Sequence, residues 1–298
     1  LIDFLEYCRL IRGKGFTFTI GPFNISIKSR EQTVISAVYK LYSPFNCICS
    51  DEYIDFHIEL RCPSVLRRVF RPQIEFVLDG IVPFKPLPRS EAFPLFEWGL
   101  NWCIATRAHQ NFMLHSAVLE KNGMGVILPA PPGSGKSTLC AALAFSGWRL
   151  LSDEFALLSH DVETLTPLVR PVSLKNQSID LIKTRYPNVE VGSFVKNTSK
   201  GDVAHIRPLK PWFDANNVPA SPKWIVFPKY IKGSSTIIEP IVKSKGMLQL
   251  ISNSFNYSEL GEQGFQSATK LAQCCDFYAL TYSELDEALA FFNELASQ

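Results

Sequence analysis

The sequence predicts an α/β fold, with a smaller α+β unit over residues 1–90 and a larger α/β domain over residues 91–298. Three observations predict it. A strand, a glycine-bearing loop and a helix follow one another through residues 125–145. A second strand follows and ends on an acidic pair at Asp153 and Glu154. The first ninety-odd residues differ, with short period-two strands around one amphipathic helix.

In that first unit, Phe23-Asn24-Ile25-Ser26-Ile27 and Ile54-Asp55-Phe56-His57-Ile58-Glu59-Leu60 alternate apolar and polar residues, as half-buried strands do. Glu31 to Leu41 places Val34, Ala37, Val38 and Leu41 on one helical face. Pro83-Phe84-Lys85-Pro86-Leu87-Pro88 is extended and proline-rich, and it is the expected linker between the two units.

In the larger domain, Gly125-Val126-Ile127-Leu128 is a short apolar run suited to a buried strand. It leads into Ala130-Pro131-Pro132-Gly133-Ser134-Gly135-Lys136-Ser137-Thr138, which matches [AG]-x-x-x-x-G-K-[ST], the Walker A phosphate loop, with Ala130 in the slot usually given to glycine. Backbone N–H groups of such a turn cradle a phosphate chain, and the helix behind it adds its positive dipole end. Lys136 would neutralise β/γ-phosphate charge, and the Ser137 hydroxyl would sit on Mg²⁺. Ser137 to Phe145 is the expected helix, with Gly147 at its C-cap. A flexible Pro/Gly surface loop is the bland alternative, but it does not require a strand before and a helix after.

Trp148-Arg149-Leu150-Leu151 reads as a strand running into Ser152-Asp153-Glu154. If it neighbours the strand before the loop, the unit is a right-handed βαβ crossover, and the acidic pair lies at the ligand-binding edge of the sheet. A carboxylate there holds Mg²⁺ or takes a proton from an attacking hydroxyl, whereas a solvated acidic turn is the ordinary alternative. His115 joins the group by register. Phe112 to Leu119 alternates in strand fashion, Asn122-Gly123 signals a type I′ hairpin, and pairing Lys121 with Met124 carries His115 to a position opposite Ala130.

Downstream, Trp224 to Phe227, Thr236 to Ile238 and Phe277 to Thr281 read as strands, and Met247 to Asn253 and Gly264 to Cys275 as helices. Ser283 with Asp286 has the form of a capping box for Leu285 to Leu295. Thr198 to Pro208 is expected to be a mobile loop from which Lys200 and Arg207 clamp phosphate or acceptor, or else an ordinary solvated basic loop. Lys175 and Asn176 are weaker candidates for the same role.

Composition narrows the function classes. The 298 residues carry a net charge of +2, which gives no electrostatic case for nucleic acid or an anionic membrane. No apolar run has the length of a membrane span, nothing at the start reads as a signal peptide, and a cytoplasmic location is expected. The eight cysteines, including Cys47-x-Cys49 and Cys274-Cys275, do not reproduce a zinc-site spacing and read as reduced thiols. Metal, where needed, would be Mg²⁺ arriving with nucleotide.

At these residues the chain resembles the HPr kinase/phosphorylase catalytic domain. His115-Ser116-Ala117-Val118, the loop Ala130 to Thr138, and Leu151-Ser152-Asp153-Glu154 follow that family's order. Phe93-Pro94-Leu95-Phe96-Glu97-Trp98-Gly99-Leu100-Asn101-Trp102-Cys103, Gly147 to Glu154, Ser173-Leu174-Lys175-Asn176 and Ser254-Phe255-Asn256-Tyr257 resemble the branch known as HPr kinase-related kinase A. The likeness covers nearly the whole chain. The loop Gly133 to Leu139 is also similar to that of ATP-dependent phosphoenolpyruvate carboxykinases, so the implied fold is a P-loop domain of the HPr kinase/PEP carboxykinase type.

The resemblance implies that Lys136, Ser137 and Thr138 hold ATP phosphates and Mg²⁺. It gives Asp153 the role of base toward a serine hydroxyl, and Glu154 the second acidic position, which is normally aspartate. His115 then lies near the transferred phosphate. The family's Glu-x-Arg-Gly signature is absent, the nearest segment being Leu168 to Asn176, so the likeness does not extend to a third acidic metal ligand or to the phosphorylase reaction. The branch is linked to gene neighbourhoods with exosortase and a PqqD-like peptide chaperone, which implies a protein or peptide acceptor. The resulting expectation is an ATP- or GTP-dependent serine/threonine kinase. A small-molecule hydroxyl kinase and a nucleotide-responsive scaffold with little transfer activity remain open, as does oligomeric state, a homo-oligomer included.

Overall fold

The computed structural model describes residues 2–43 and 53–297, so Cys47 and Cys49 lie outside the described residues. Helices and three sheets make a mixed α/β structure. Asp3 caps α1 (Phe4–Arg12), its carboxylate accepting from the N–H groups of Leu5 and Glu6. β1 (Phe16–Ile20) and β2 (Phe23–Ser29) pair as a hairpin, and α2 (Gln32–Tyr42) buries Val34, Val38 and Leu41 as its spacing requires. β3 (Phe56–Arg61) lies parallel to β2. After α3 (Val65–Val69), β4 (Gln73–Leu78) returns antiparallel to β3.

The proline-rich passage does more than link. Its end, β5 (Leu87–Pro88), pairs with β4 and closes a five-stranded sheet, and Phe84 packs against Phe76 and Trp102. Proline is tolerated there because an edge strand has no inner ladder to lose. One apolar core runs from Tyr7 and Phe16 through Phe96 and Leu143 to Phe292, so the first sheet and the rest of the chain share packing.

After α4 (Ala92–Arg107), β6 (Phe112–Lys121) and β7 (Met124–Pro129) form the expected hairpin. Asn122 and Gly123 have φ +56° and +82°, the pair of left-handed residues a type I′ turn needs. The register runs from Lys121↔Met124 to Ser116↔Pro129. Burial along β6 does not alternate, because the strand lies inside the sheet with both faces covered; His115 is the partly exposed residue in Phe112–Leu119. Next, α5 (Lys136–Phe145) ends in a Schellman motif. The N–H of Gly147 reaches the Ala144 carbonyl at 3.3 Å, and that of Trp148 reaches Leu143 at 3.2 Å.

β8 (Arg149–Ser152) and β9 (Phe155–Leu158) both lie antiparallel along the other edge of β6. This corrects the simple crossover: β7 and β8 are not neighbours, and β6 lies between them. The two-residue turn commits β6 to one edge of β7, so the chain leaving α5 meets β6 first. β10 (Leu165–Thr166) extends the sheet from β9.

β11 (Val172–Lys175) precedes α6 (Gln177–Arg185) and then β12 (Val191–Thr198) and β13 (Gly201–Ile206), giving a three-stranded sheet in the order β11-β13-β12. Thr198 to Pro208 is therefore largely a hairpin turn and its second strand rather than a mobile loop. Thr198 Oγ1 donates to the Gly201 carbonyl at 2.7 Å, and Asp202 N–H to Asn176 Oδ1 at 3.0 Å, which fastens the turn.

α7 (Lys210–Asp214) leads to β14 (Ser221–Tyr230), which is parallel to β7. β15 (Ile237–Pro240), α8 (Lys243–Ile251), α9 (Tyr257–Leu260) and α10 (Glu262–Cys274) precede β16 (Asp276–Tyr282). The large sheet then runs β10-β9-β6-β7-β14-β16-β15, with β8 also on β6. The last helix, α11 (Leu285–Leu295), lacks the expected capping box. It starts one residue too late, with Glu284 at the N-cap, and the Ser283 hydroxyl instead accepts from Gly233 N–H at 2.9 Å. Among the described residues no helix is long and apolar enough to cross a membrane, and Cys8, Cys62, Cys103, Cys140, Cys274 and Cys275 are free thiols.

Candidate active site

The loop from Ala130 to Gly135 connects the end of β7 to the first turn of α5. Gly133 and Gly135 have φ +86° and +85°, conformations that cost other residues energy. At Gly135 space is short as well: a Cβ would fall 2.7 Å from Tyr282 Oη and 2.9 Å from Tyr230 Cβ. Among the described residues no side chain caps α5, so the N–H groups of its first turn stay open toward the loop. Ser134 is buried, and its hydroxyl has no hydrogen-bond partner among the described residues. Ala130, Pro131 and Pro132 form the loop's first limb, with the Pro131 carbonyl accepting from Ser134 N–H at 3.3 Å. Thr138 is tied down, its Oγ1 donating to Ser178 Oγ at 2.6 Å, whereas Ser137 stays partly exposed.

Two ladders bring the other groups to this loop. The β6–β7 pairing ends at Ser116↔Pro129, so His115 stands at the loop's first residue. On the opposite edge of β6, Val118↔Ser152 and His115↔Phe155 share one register, which sets Asp153 and Glu154 beside Ala117 and Ser116. A bond from Ser116 N–H to the Glu154 carbonyl, 3.2 Å, fixes the bend. The side chains then meet. His115 Nε2 lies 3.0 Å from Lys136 Nζ and 3.3 Å from Glu154 Oε2. One ring nitrogen cannot accept from the ammonium and donate to the carboxylate at once, so tautomer and protonation choose between them.

The two carboxyls are driven apart. Burial, and then the charge of Glu154, raise Asp153 to about 6; Arg170, the N–H of Ser173 (3.0 Å from Oδ2) and Lys136 oppose that rise. Burial alone would raise Glu154 too, but the hydrogen bond from His115 and the charge of Lys136 bring it well below the usual range. Lys136 itself is buried, which lowers its pKa against the pull of both carboxylates.

Beneath the pair lies a buried polar group that reading by motif missed. Arg170 is 2% exposed, donates to Asn101 Oδ1, and stands 3.7 Å from Glu97 Oε2. Glu97 also accepts from Tyr42 Oη at 2.5 Å. Burial lifts Glu97 to about 7, with Arg170 opposing. Its signals in sequence were a lone glutamate in the apolar run Phe93–Cys103 and a lone arginine in Leu168–Val172. Asn256, buried within Ser254–Tyr257, holds the start of β6: its Oδ1 accepts from Met113 N–H at 2.9 Å and its Nδ2 donates to the Asn111 carbonyl at 2.8 Å.

Lys200, at the tip of the β12–β13 hairpin, places Nζ 4.4 Å over the Trp98 ring. Partial burial and the charge of Lys175 lower its pKa while Glu154 opposes, so both lysines act on the same field as the acidic pair. Arg207 does not join them: its guanidinium pairs with Glu190 at 2.6 Å, across the edge of the small sheet. That bond occupies one arm of the guanidinium and sets a carboxylate against its charge.

Comparison of the sequence with protein-family models and with curated proteins gave no match. Among solved structures the chain is similar to the Hpr(Ser) kinase/phosphatase from Coxiella burnetii, at 13% identity and a TM-score of 0.28, over 61% of this chain and 96% of that one. A likeness at that level carries no inference about chemistry.

Proposed function

We propose that this chain is an ATP-dependent kinase that transfers the γ-phosphate to a serine or threonine hydroxyl of a protein or peptide. The observation that carries the reading is the meeting of three elements: an open helix N-terminus behind two left-handed glycines, its lysine 3.0 Å from His115, and His115 3.3 Å from an acidic residue. Phosphoryl transfer asks a protein mainly to place groups and stabilise charge. The loop amides and Lys136 supply positive potential for a triphosphate, and the unpartnered Ser134 hydroxyl gains an acceptor there.

Asp153 suits the base. One of its oxygens is held by Ser173, the other accepts no hydrogen bond among the described residues, and its raised pKa brings it toward proton-transfer strength at neutral pH. The donors available for a divalent cation are all oxygen, which fits Mg²⁺: the Ser137 hydroxyl and the carboxylates of Asp153 and Glu154, whose mutual repulsion a cation would relieve. Among the described residues no group of three or more His, Cys, Asp and Glu forms a complete metal cage, so nucleotide oxygens would complete the shell. When bound, Mg²⁺ would neutralise charge that develops on the phosphate oxygens during transfer. Lys200, which feels the charges of Lys175 and Glu154, would with Lys175 add positive potential for the phosphate or the acceptor.

The test is a labelled-ATP screen of peptide and metabolite pools with the parent protein, Lys136→Ala and Asp153→Asn. Lys136→Ala should lose nucleotide binding. Asp153→Asn should bind nucleotide and fall by at least about 10²-fold in transfer. Equal transfer by Asp153→Asn and the parent removes the base assignment, and label found only in small metabolites removes the protein acceptor.

A further inference from the structure

The phosphate loop has two unlike flanks. On the β6 side stand His115, Asp153 and Glu154, which the proposed transfer needs. The other flank is β14 and β16, both parallel to β7, so their C-terminal ends open on the same edge as the loop. β14 ends there on Tyr230. With the terminal phosphate at Lys136 and the acidic pair, the flank left for the nucleoside within the sheet edge is the one over β14. Strands lie about 4.8 Å apart, so the step from β6 across β7 to β14 spans roughly 10 Å. That is about the reach of an extended triphosphate and ribose.

Tyr230 is built for a contact of this kind. Its backbone is part of the loop's support: the N–H donates to the Ser134 carbonyl at 2.9 Å, and its Cβ closes the space beside Gly135. The residue is 46% exposed, although its neighbour in the next strand, Tyr282, is buried and spends its hydroxyl on the Gly135 carbonyl at 3.3 Å. Tyr282 meets Tyr230 edge to face, with centroids 5.8 Å apart. This steadies the exposed ring without covering it. It offers an aromatic surface beside the phosphate loop, on the flank away from the acidic pair.

We infer that Tyr230 is the platform on which the base of the bound nucleotide stacks. The inference rests on the phosphate-loop reading and adds to it a residue for the nucleoside end. A stacking face is tolerant of base identity, because every base presents a π surface.

The experiment compares Kd for ATP and for inorganic tripolyphosphate, both with Mg²⁺, in the parent protein, Tyr230→Ala and Tyr230→Trp. Alanine keeps the N–H and the Cβ beside Gly135 and removes only the ring. The expected result is about tenfold weaker ATP binding by Tyr230→Ala, equal to about 1.4 kcal/mol and within the range for base–aromatic stacking. Tripolyphosphate affinity should stay unchanged, and Tyr230→Trp should keep ATP affinity. Equal loss for both ligands would make Tyr230 a loop support only and overturn the inference, as would unchanged ATP affinity in Tyr230→Ala. A parent protein that binds neither ligand would defeat the phosphate-loop reading itself, and the platform with it.

Discussion

Alanine at Gly135 and at Gly133 should cost different amounts, and the difference tests the packing behind the loop. Both glycines have φ near +85°, so each substitution pays for left-handed backbone, about 1–2 kcal/mol. At Gly133 no atom of the described residues lies within 4 Å of the new Cβ, and the cost should end there. At Gly135 the methyl would stand 2.7 Å from Tyr282 Oη and 2.9 Å from Tyr230 Cβ. Overpacking of that kind adds about 1–3 kcal/mol. Removing the nearer atom by Tyr282→Phe should recover part of the excess, since the second contact remains. Urea unfolding of the unliganded protein, followed by the fluorescence of the buried Trp148 and Trp224, measures all four variants, and a double-mutant cycle isolates the Gly135–Tyr282 coupling. Equal losses for Gly133→Ala and Gly135→Ala, or zero coupling to Tyr282→Phe, would refute the close approach of β16 to the loop.

Two further predictions concern the buried groups beneath the site. Burial, and then the charge of Arg170, hold the His205 pKa down at about 3, against about 6.5 in an unfolded chain. The folded state therefore refuses a proton that the unfolded chain accepts. The stability from this residue is fully present above pH 6.5 and is lost as pH falls, by about 2 kcal/mol between pH 6.5 and 5. His205→Gln should flatten that part of the stability curve, and identical slopes for the two proteins would refute it. Arg170→Met should cost about 3 kcal/mol by leaving Glu97 buried without a cation. Adding Glu97→Gln should restore part of it in urea titrations. A loss under about 1 kcal/mol, the level of a surface pair, would show that Arg170 is not the counter-charge.

The elements legible in sequence were those decided within a few residues. Asn122-Gly123 defines its turn and hence the register that carries His115 to the loop, because few residue pairs accept two positive φ angles. Gly147 ends α5 for the same steric reason. The loop itself is a local pattern of glycine, lysine and hydroxyl. Lys136, His115 and Glu154 come together as a consequence of those local rules acting through one hairpin and one antiparallel return.

Other features depended on which distant segments meet. Insertion of β6 between β7 and β8, conversion of Thr198–Pro208 into a hairpin, and the pairing of Arg207 with Glu190 are set by sheet order, which no short window encodes. The late start of α11 follows from Ser283 bonding to the backbone at Gly233, fifty residues away. Desolvation is likewise a tertiary property: burial raises both Asp153 and Glu154, adjacent in sequence, and their different partners then part the two pKa values. The sequence by itself determined which groups bring chemistry to the sheet edge, because backbone sterics and residue type act locally. The tertiary structure alone decided their charges, their hidden support in Arg170, Glu97 and Tyr42, and the exposed ring of Tyr230, because electrostatics and burial depend on everything packed around a group.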